Sequence, residues 1–148
     1  MARRRDPNEF IDRFSALKRC LSAVAAQAYA TADMGATQAK FLRQIGRQSG
    51  ISQAELARAT STDPTLTGRV LSALVARGLV RRKRSAEDRR EYVLELAAPG
   101  KRAQERVEKL HVQIATRVVA ALEDRDVDDF DRIVQKILAA FATPVDFG

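Results

Sequence analysis

The stretch from Ile51 to Tyr92, ISQAELARATSTDPTLTGRVLSALVARGLVRRKRSAEDRREY, constrains the fold more than any other part of the chain. Ser52 and Glu55 have the spacing of a capping box, in which the serine hydroxyl accepts from the third helical amide and the glutamate reaches back to the serine amide. A short helix over about 53–59 is therefore expected. Asp63-Pro64 starts another, since Asp suits the N-cap and Pro suits the first helical position, where no amide bond is lost. Leu66, Val70, Leu71, Leu74 and Val75 are expected on its buried stripe, with Thr65, Gly68, Arg69 and Ser72 on the opposite face. Gly78 is a natural C-terminal stop. Val80–Arg84 and Glu91–Leu96 read as strands, with Tyr92, Leu94 and Leu96 on one face, joined by a hairpin crowded with Arg and Lys. Helix, turn, helix, strand and basic hairpin is the physical layout of a winged helix-turn-helix. One helix has the size for a DNA major groove, and a charged wing lies beside it.

The flanking sequence is helical. Phe10, Phe14, Leu17, Leu21, Val24 and Ala28 make one apolar seam over 8–32, and Phe41, Leu42 and Ile45 face inward from a helix over 37–48. A helix over about 100–122 carries Val107, Leu110, Ile114, Val118 and Leu122. A last helix, about 127–142, carries Val127, Phe130, Val134, Ile137 and Phe141. Narrow seams of nearly 3.5-residue period usually meet another helix, from the same chain or from a partner. The fold class expected is mainly α with a small β wing.

With 148 residues, the chain is about one domain long, and its net charge of +7 fits a polyanionic partner, either nucleic acid or an anionic membrane surface. The charge is concentrated. Residues 81–90 hold Arg81, Arg82, Lys83, Arg84, Arg89 and Arg90 against Glu87 and Asp88, whereas 123–131 are acidic. The acids Asp128, Asp129 and Asp131 suit a helix N-terminus, where the macrodipole favours negative charge, and not a metal site. One cysteine excludes an intrachain disulfide framework and a Cys-based zinc site. No run approaches a membrane span and no apolar stretch follows the basic start, so a soluble cytoplasmic protein is expected. Arg3, Arg4 and Arg5 read as a disordered basic tail rather than an extra DNA arm. The lone His111 has no carboxylate or thiol at ligand spacing and reads as structural or surface. No phosphate loop, nucleophile elbow or carboxylate pair is present, and neither an enzyme nor a cofactor is expected.

Double-stranded DNA is the expected partner. Thr65, Thr67, Gly68 and Arg69 lie in the first half of the reading helix, the end that meets base edges in such folds. Arg69 can offer a bidentate fork to guanine, while Gly68 lets the helix approach closely. For Thr67, a buried or capping hydroxyl is the competing reading. Arg82, Lys83 and Arg84 suit phosphates, which fix register without reading sequence. Arg89 or Arg90 at the hairpin tip suits a narrow minor groove. Ser52 and Gln53 place a helix start where amides can meet a phosphate, or serve as caps alone.

These residues resemble the multiple-antibiotic-resistance regulator (MarR) family of bacterial transcription factors. The likeness covers about 10–142 and rests on SQAELA (52–57), DPTLTGRVLSALVARGLV (63–80) and SAEDRREYVLEL (85–96), with Leu56-Ala57, Leu74…Gly78-Leu79-Val80 and Asp88-Arg89-Arg90 in the family's order. Upstream, Gln38, Phe41, Leu42 and Ile45 fit the family's second helix. Two departures stand out. Leu96 is followed by Ala97, Ala98 and Pro99 where the family has Leu-Thr, and Met34-Gly35 stands where Leu-Thr commonly precedes the second helix.

The resemblance implies a single domain over 1–148, with a DNA-binding lobe at about 36–97 and a helical dimerisation layer at about 8–32 and 99–142. It implies a homodimer through Phe10, Phe14, Leu17, Val127, Phe130, Val134, Ile137 and Phe141. A pseudo-palindromic operator is implied too, with repression relieved by a small, often aromatic, ligand. Tyr29 and Phe41 are candidate ligand contacts. The resemblance further implies that Asp88 pairs with Arg90 to shape the wing tip. Some family members sense hydroperoxides through a cysteine near the position of Cys20, but neighbours one residue away on a helix do not face it, and it reads as a small core residue. A redox regulator using Cys20, and a basic module binding RNA or protein, stay open as alternatives.

Overall fold

The structure, a computed structural model, describes residues 6–148, and the basic triplet Arg3, Arg4 and Arg5 lies outside the described residues. Six helices and three short strands follow in the order α1 (Pro7–Ala30), α2 (Ala36–Arg47), β1 (Ile51–Ser52), α3 (Gln53–Ala59), α4 (Pro64–Ala76), β2 (Val80–Arg84), β3 (Tyr92–Leu96), α5 (Ala98–Ala120) and α6 (Asp124–Ala140). The fold is mainly α with a small β wing. The chain forms two compact units, one ending at His111 and one running from Val112 to Gly148.

Local chemistry sets the element ends in the first unit. Asp6 caps α1 by accepting from the Asn8 amide at 2.9 Å, with Pro7 opening the helix. Met34-Gly35 does not loosen the start of α2, because the Gln38 side-chain oxygen accepts from the Gly35 amide at 3.2 Å. The capping box of α3 forms as its spacing predicts: Ser52 Oγ accepts from Glu55 N at 3.2 Å and Glu55 Oε2 from Ser52 N at 3.0 Å. α5 starts two residues earlier than expected, at Ala98, since the Ala97 carbonyl accepts from the Lys101 amide at 2.9 Å and Pro99 sits in the first turn.

The strands pair antiparallel in the order β1-β3-β2, with Val80 opposite Leu96, Arg82 opposite Leu94 and Arg84 opposite Tyr92. β1 was not expected from the sequence; it is two residues long and exists through Ile51 and Ser52 pairing with Leu94 and Val93. Phe41, Leu42, Ile45, Ile51, Leu56, Leu71, Leu74, Val80, Leu94 and Val107 are fully buried and form one core. Gly100 is part of this packing. A Cβ there would lie 1.9 Å from the Leu79 carbonyl oxygen, so only glycine lets the start of α5 pass the chain at Leu79, just before β2.

The second unit is different. α6 starts at Asp124, not near 127, with the Glu123 amide donating to Asp126 Oδ2 at 2.9 Å. Asp124 and Asp126 are therefore the acids of its first turn, and Asp129 pairs with Arg132 at 3.0 Å. No residue from Val112 to Gly148 is buried.

Candidate nucleic-acid interface

α4 is held by its cap. Asp63 Oδ1 accepts from the amides of Thr65 at 2.9 Å and Leu66 at 3.0 Å, which fixes the first turn. Thr65, Arg69 and Ser72 are exposed along the outer face. At Gly68, an added Cβ would meet only Gln53 Nε2, at 3.4 Å, so the helix surface there is open to an approaching molecule.

Two assignments on this helix are corrected. Thr67 is fully buried, and its hydroxyl donates to the Asp63 carbonyl at 2.9 Å, so it cannot face DNA. Leu66, expected in the core, is 37% exposed. The inward positions are Thr67, Leu71 and Leu74, related by i, i+4 and i+7, and this phase turns Leu66 to the flank. Ser52 is likewise largely buried, with its hydroxyl accepting as the α3 cap. Gln53 remains partly exposed at the start of α3.

The wing is organised by its own side chains. Ser85 N donates to the Glu91 carbonyl at 2.9 Å, and Ser85 Oγ accepts from the amides of Glu87 and Asp88. Asp88 shapes the tip through the backbone: its Oδ1 accepts from the Arg90 amide at 2.9 Å. The pairing implied from the resemblance is therefore with the Arg90 main chain, and the exposed Arg90 guanidinium is left outside it. Arg84 donates to the Arg89 carbonyl and its guanidinium lies 4.6 Å from the centre of the Tyr92 ring, a cation–π contact. It braces the hairpin.

Strand alternation separates the remaining cations. Arg82 lies on the α4 side and reaches Ser72 Oγ at 3.4 Å. Lys83 points to the other face, 3.8 Å from Glu95 Oε1. Among the described residues Arg69, Arg82, Arg89 and Arg90 take part in no ion pair. One outer helix face and one wing edge thus present guanidinium groups that form no ion pair among the described residues.

The candidate ligand contacts are packed. Phe41 is fully buried and Tyr29 nearly so, with the Tyr29 hydroxyl 3.4 Å from His111 Nδ1. Burial pushes the Tyr29 phenol up; the Arg43 charge opposes this and Glu108 reinforces it. Burial, then the Arg43 charge, pushes His111 down, with Arg47 adding to that and Glu108 opposing it. Arg43 Nε meets Glu108 Oε1 at 2.9 Å. Residues so far apart in the chain carry no spacing signal, which is why this cluster was missed. Cys20 is exposed on α1, not the core residue expected, because it lies off the face that carries the buried Tyr29.

The seam residues of α1 and α6 stay open. Phe10, Phe14 and Leu17 on one, and Val127, Phe130, Ile137 and Phe141 on the other, are all exposed, Phe14 by 51% and Phe130 by 54%, while Val134 is half-buried. Among the described residues no helix is long and apolar enough to cross a membrane, and no cluster of three metal-binding side chains occurs.

The model of the MarR family matches residues 35–92. An HTH-type transcriptional repressor of Mycobacterium tuberculosis is 32% identical over 110 residues, which are 73% of this chain and 79% of that protein. A MarR transcriptional regulator from Methanosarcina mazei superposes with a TM-score of 0.76 at 26% identity, over 89% of this chain and 96% of that one. MepR of Staphylococcus aureus, solved in complex with DNA, superposes with a TM-score of 0.81 at 19% identity, over 89% and 98% of the two chains, a likeness of fold.

Proposed function

Because this chain belongs to the MarR family of transcriptional regulators, we propose that it is a cytoplasmic homodimeric repressor that reads a pseudo-palindromic operator. The observation that carries this reading is the outer face of α4, where Thr65, Gly68 and Arg69 are open beside a wing of unpaired arginines. Arg69 provides the base-reading fork, a contact worth about 1–3 kcal/mol of discrimination. Thr65 meets a base edge or a phosphate, and Gln53 a phosphate. Arg82 takes the backbone flanking the major groove, and Arg89 and Arg90 enter the adjacent minor groove. Asp88, Arg84 and Tyr92 keep the wing in shape, and Lys83, paired on the far face, contributes long-range charge.

A second copy covers the apolar stripes of α1 and α6. Exposed apolar seams, Phe10 and Phe14 on α1 and Val127, Phe130 and Ile137 on an α6 that buries no residue, are surfaces that monomeric proteins rarely keep. Two-fold symmetry then sets half-sites about one helical turn apart. A small aromatic ligand relieves repression by binding an arrangement in which Tyr29 and Phe41 are unpacked and the reading helices no longer match the operator. It can do so only through tighter binding to that arrangement.

The test is binding of purified protein to the DNA beside its own gene and to a scrambled duplex, across a salt series. The native fragment should stay bound at salt concentrations that release the scrambled one. Equal binding that collapses with salt would show only a basic surface and would refute the operator reading. Light scattering of the wild type and of Phe130→Glu tests the dimer: the variant should be monomeric, and a monomeric wild type would end that part of the proposal.

A further inference from the structure

A groove of about 540 Å³ lies between α3 and the start of α4, lined by Ala54, Ala57 and Pro64, by Gln53, Thr62 and the inward Thr67, and by Arg58. Arg58 was not singled out by the sequence pattern. It is exposed, and among the described residues it takes part in no ion pair. No carboxylate lines this groove. The contrast is with a groove of about 450 Å³ on the far side of the sheet, where Arg81 and Lys101 are accompanied by Glu95 and Glu105. There the acids offset the cations and would repel a phosphate; beside the α3–α4 groove the acid next to Pro64 in the chain is Asp63, whose carboxylate is engaged by the Thr65 and Leu66 amides as the α4 cap.

The groove is also continuous with the reading face. Gln53, in its lining, is the side chain that a Cβ on Gly68 would meet at 3.4 Å. The groove that carries Arg58 thus borders the part of α4 that carries Gly68. The lining suits a DNA backbone: small side chains such as Ala54 and Ala57 leave room for a sugar, and the flexible Arg58 supplies a cation for a phosphate.

We infer that Arg58, in the lining of the α3–α4 groove, anchors the DNA backbone and sets how α4 enters the major groove. This rests on the operator-binding reading above. The contact carries no base information, so it acts on every sequence alike.

The experiment compares wild type, Arg58→Ala and Arg58→Lys on the native fragment and a scrambled duplex by fluorescence anisotropy, at several salt concentrations. One phosphate contact has a salt slope of about 0.9, so each lost contact weakens binding about eightfold near 0.1 M salt. Arg58→Ala should lower affinity for both duplexes by the same factor and reduce the slope by about one per subunit. Arg58→Lys should keep most of the slope, since a point charge serves a phosphate. Unchanged melting temperatures separate the effect from misfolding. An unchanged slope and affinity in Arg58→Ala, beside a wild type that binds, overturns this inference alone. A loss confined to the native fragment overturns the backbone role, because it would mean base reading. A wild type that binds neither duplex overturns the operator reading and this inference together.

Discussion

Replacing Gly100 by alanine tests how the DNA-binding lobe is joined to α5. Alanine in a helix is ordinarily better than glycine by about 1 kcal/mol, so propensity alone predicts a gain. The structure predicts a loss. The new Cβ would lie 1.9 Å from the Leu79 carbonyl oxygen and 2.8 Å from its carbon, and both are backbone atoms that no rotamer change can move. Relief requires the first turn of α5 to retreat by more than about 1 Å. That carbonyl accepts from the Ala97 amide at 2.9 Å, and the retreat breaks this bond. Overpacking costs about 1–3 kcal/mol and a lost hydrogen bond about 0.5–1.5, so the net after the propensity gain is roughly 0.5–3.5 kcal/mol of destabilisation, centred near 2.

In a chain of this size that corresponds to a fall of about 2–12 °C in melting temperature, measured at fixed protein concentration because association shifts the midpoint. Gly68→Ala is the control. Its Cβ meets only the flexible end of Gln53 at 3.4 Å, so it should hold or raise the melting temperature while weakening operator binding. A Gly100→Ala protein that melts at or above wild type would refute the argument from backbone overlap.

Thr67→Val should bind the native DNA fragment as wild type does, at a stability cost of about 1 kcal/mol for the lost hydroxyl bond to the Asp63 carbonyl; a large loss of DNA affinity with intact folding would return Thr67 to the interface. His111 has its folded pKa held below the unfolded value of 6.5, first by burial and then by Arg43. The unfolded chain therefore takes up the proton first, and stability present above that value is lost as pH falls through the folded pKa. Urea midpoints followed from neutral to acid pH should drop in the wild type and flatten in His111→Gln; equal slopes would remove His111 as the cause. Tyr29 has its folded pKa raised above 10.0, so its contribution is fully present below that unfolded value and is lost as pH rises from there through the folded pKa, and Tyr29→Phe should blunt the loss. Finally, diluting the protein below its dimer dissociation constant should speed amide exchange in α6, which buries no residue, and leave α2 and β3 protected. Uniform exchange across all of these elements would contradict the dimer reading.

What the sequence shows plainly is what is local. The Ser52–Glu55 box and the Asp63-Pro64 start each lie within one turn, and both form. Helix phase is less legible: a stripe drawn through Leu66 and one drawn through Thr67 differ by a single position, and the packing of Leu71 and Leu74 decides between them. β1 has too few residues for a pattern and depends on where β3 passes. The Arg43–Glu108 and Tyr29–His111 contacts join residues 65 and 82 positions apart, beyond any periodicity. The split of the wing cations is a different case, since strand alternation alone places Arg82 and Lys83 on opposite faces; that signal was present and the basic run obscured it.

That split bears on how a charged wing can read DNA at all. A guanidinium already stacked on Tyr92 and donating to the Arg89 carbonyl, as Arg84 does, is held in place by both contacts and helps to hold the hairpin, with its other N–H groups left exposed. Arg89 and Arg90 make no such contacts through their guanidinium groups, and the turn that presents them is fixed by Ser85 and Asp88 accepting backbone amides. The tip is thus ordered through its main chain while its charges remain available. Loss of Asp88 should therefore weaken DNA binding without removing a single positive charge, whereas loss of Arg90 removes the charge and leaves the tip intact. In a salt series the first change lowers affinity at constant slope and the second lowers both, because only the second alters the number of counterions released.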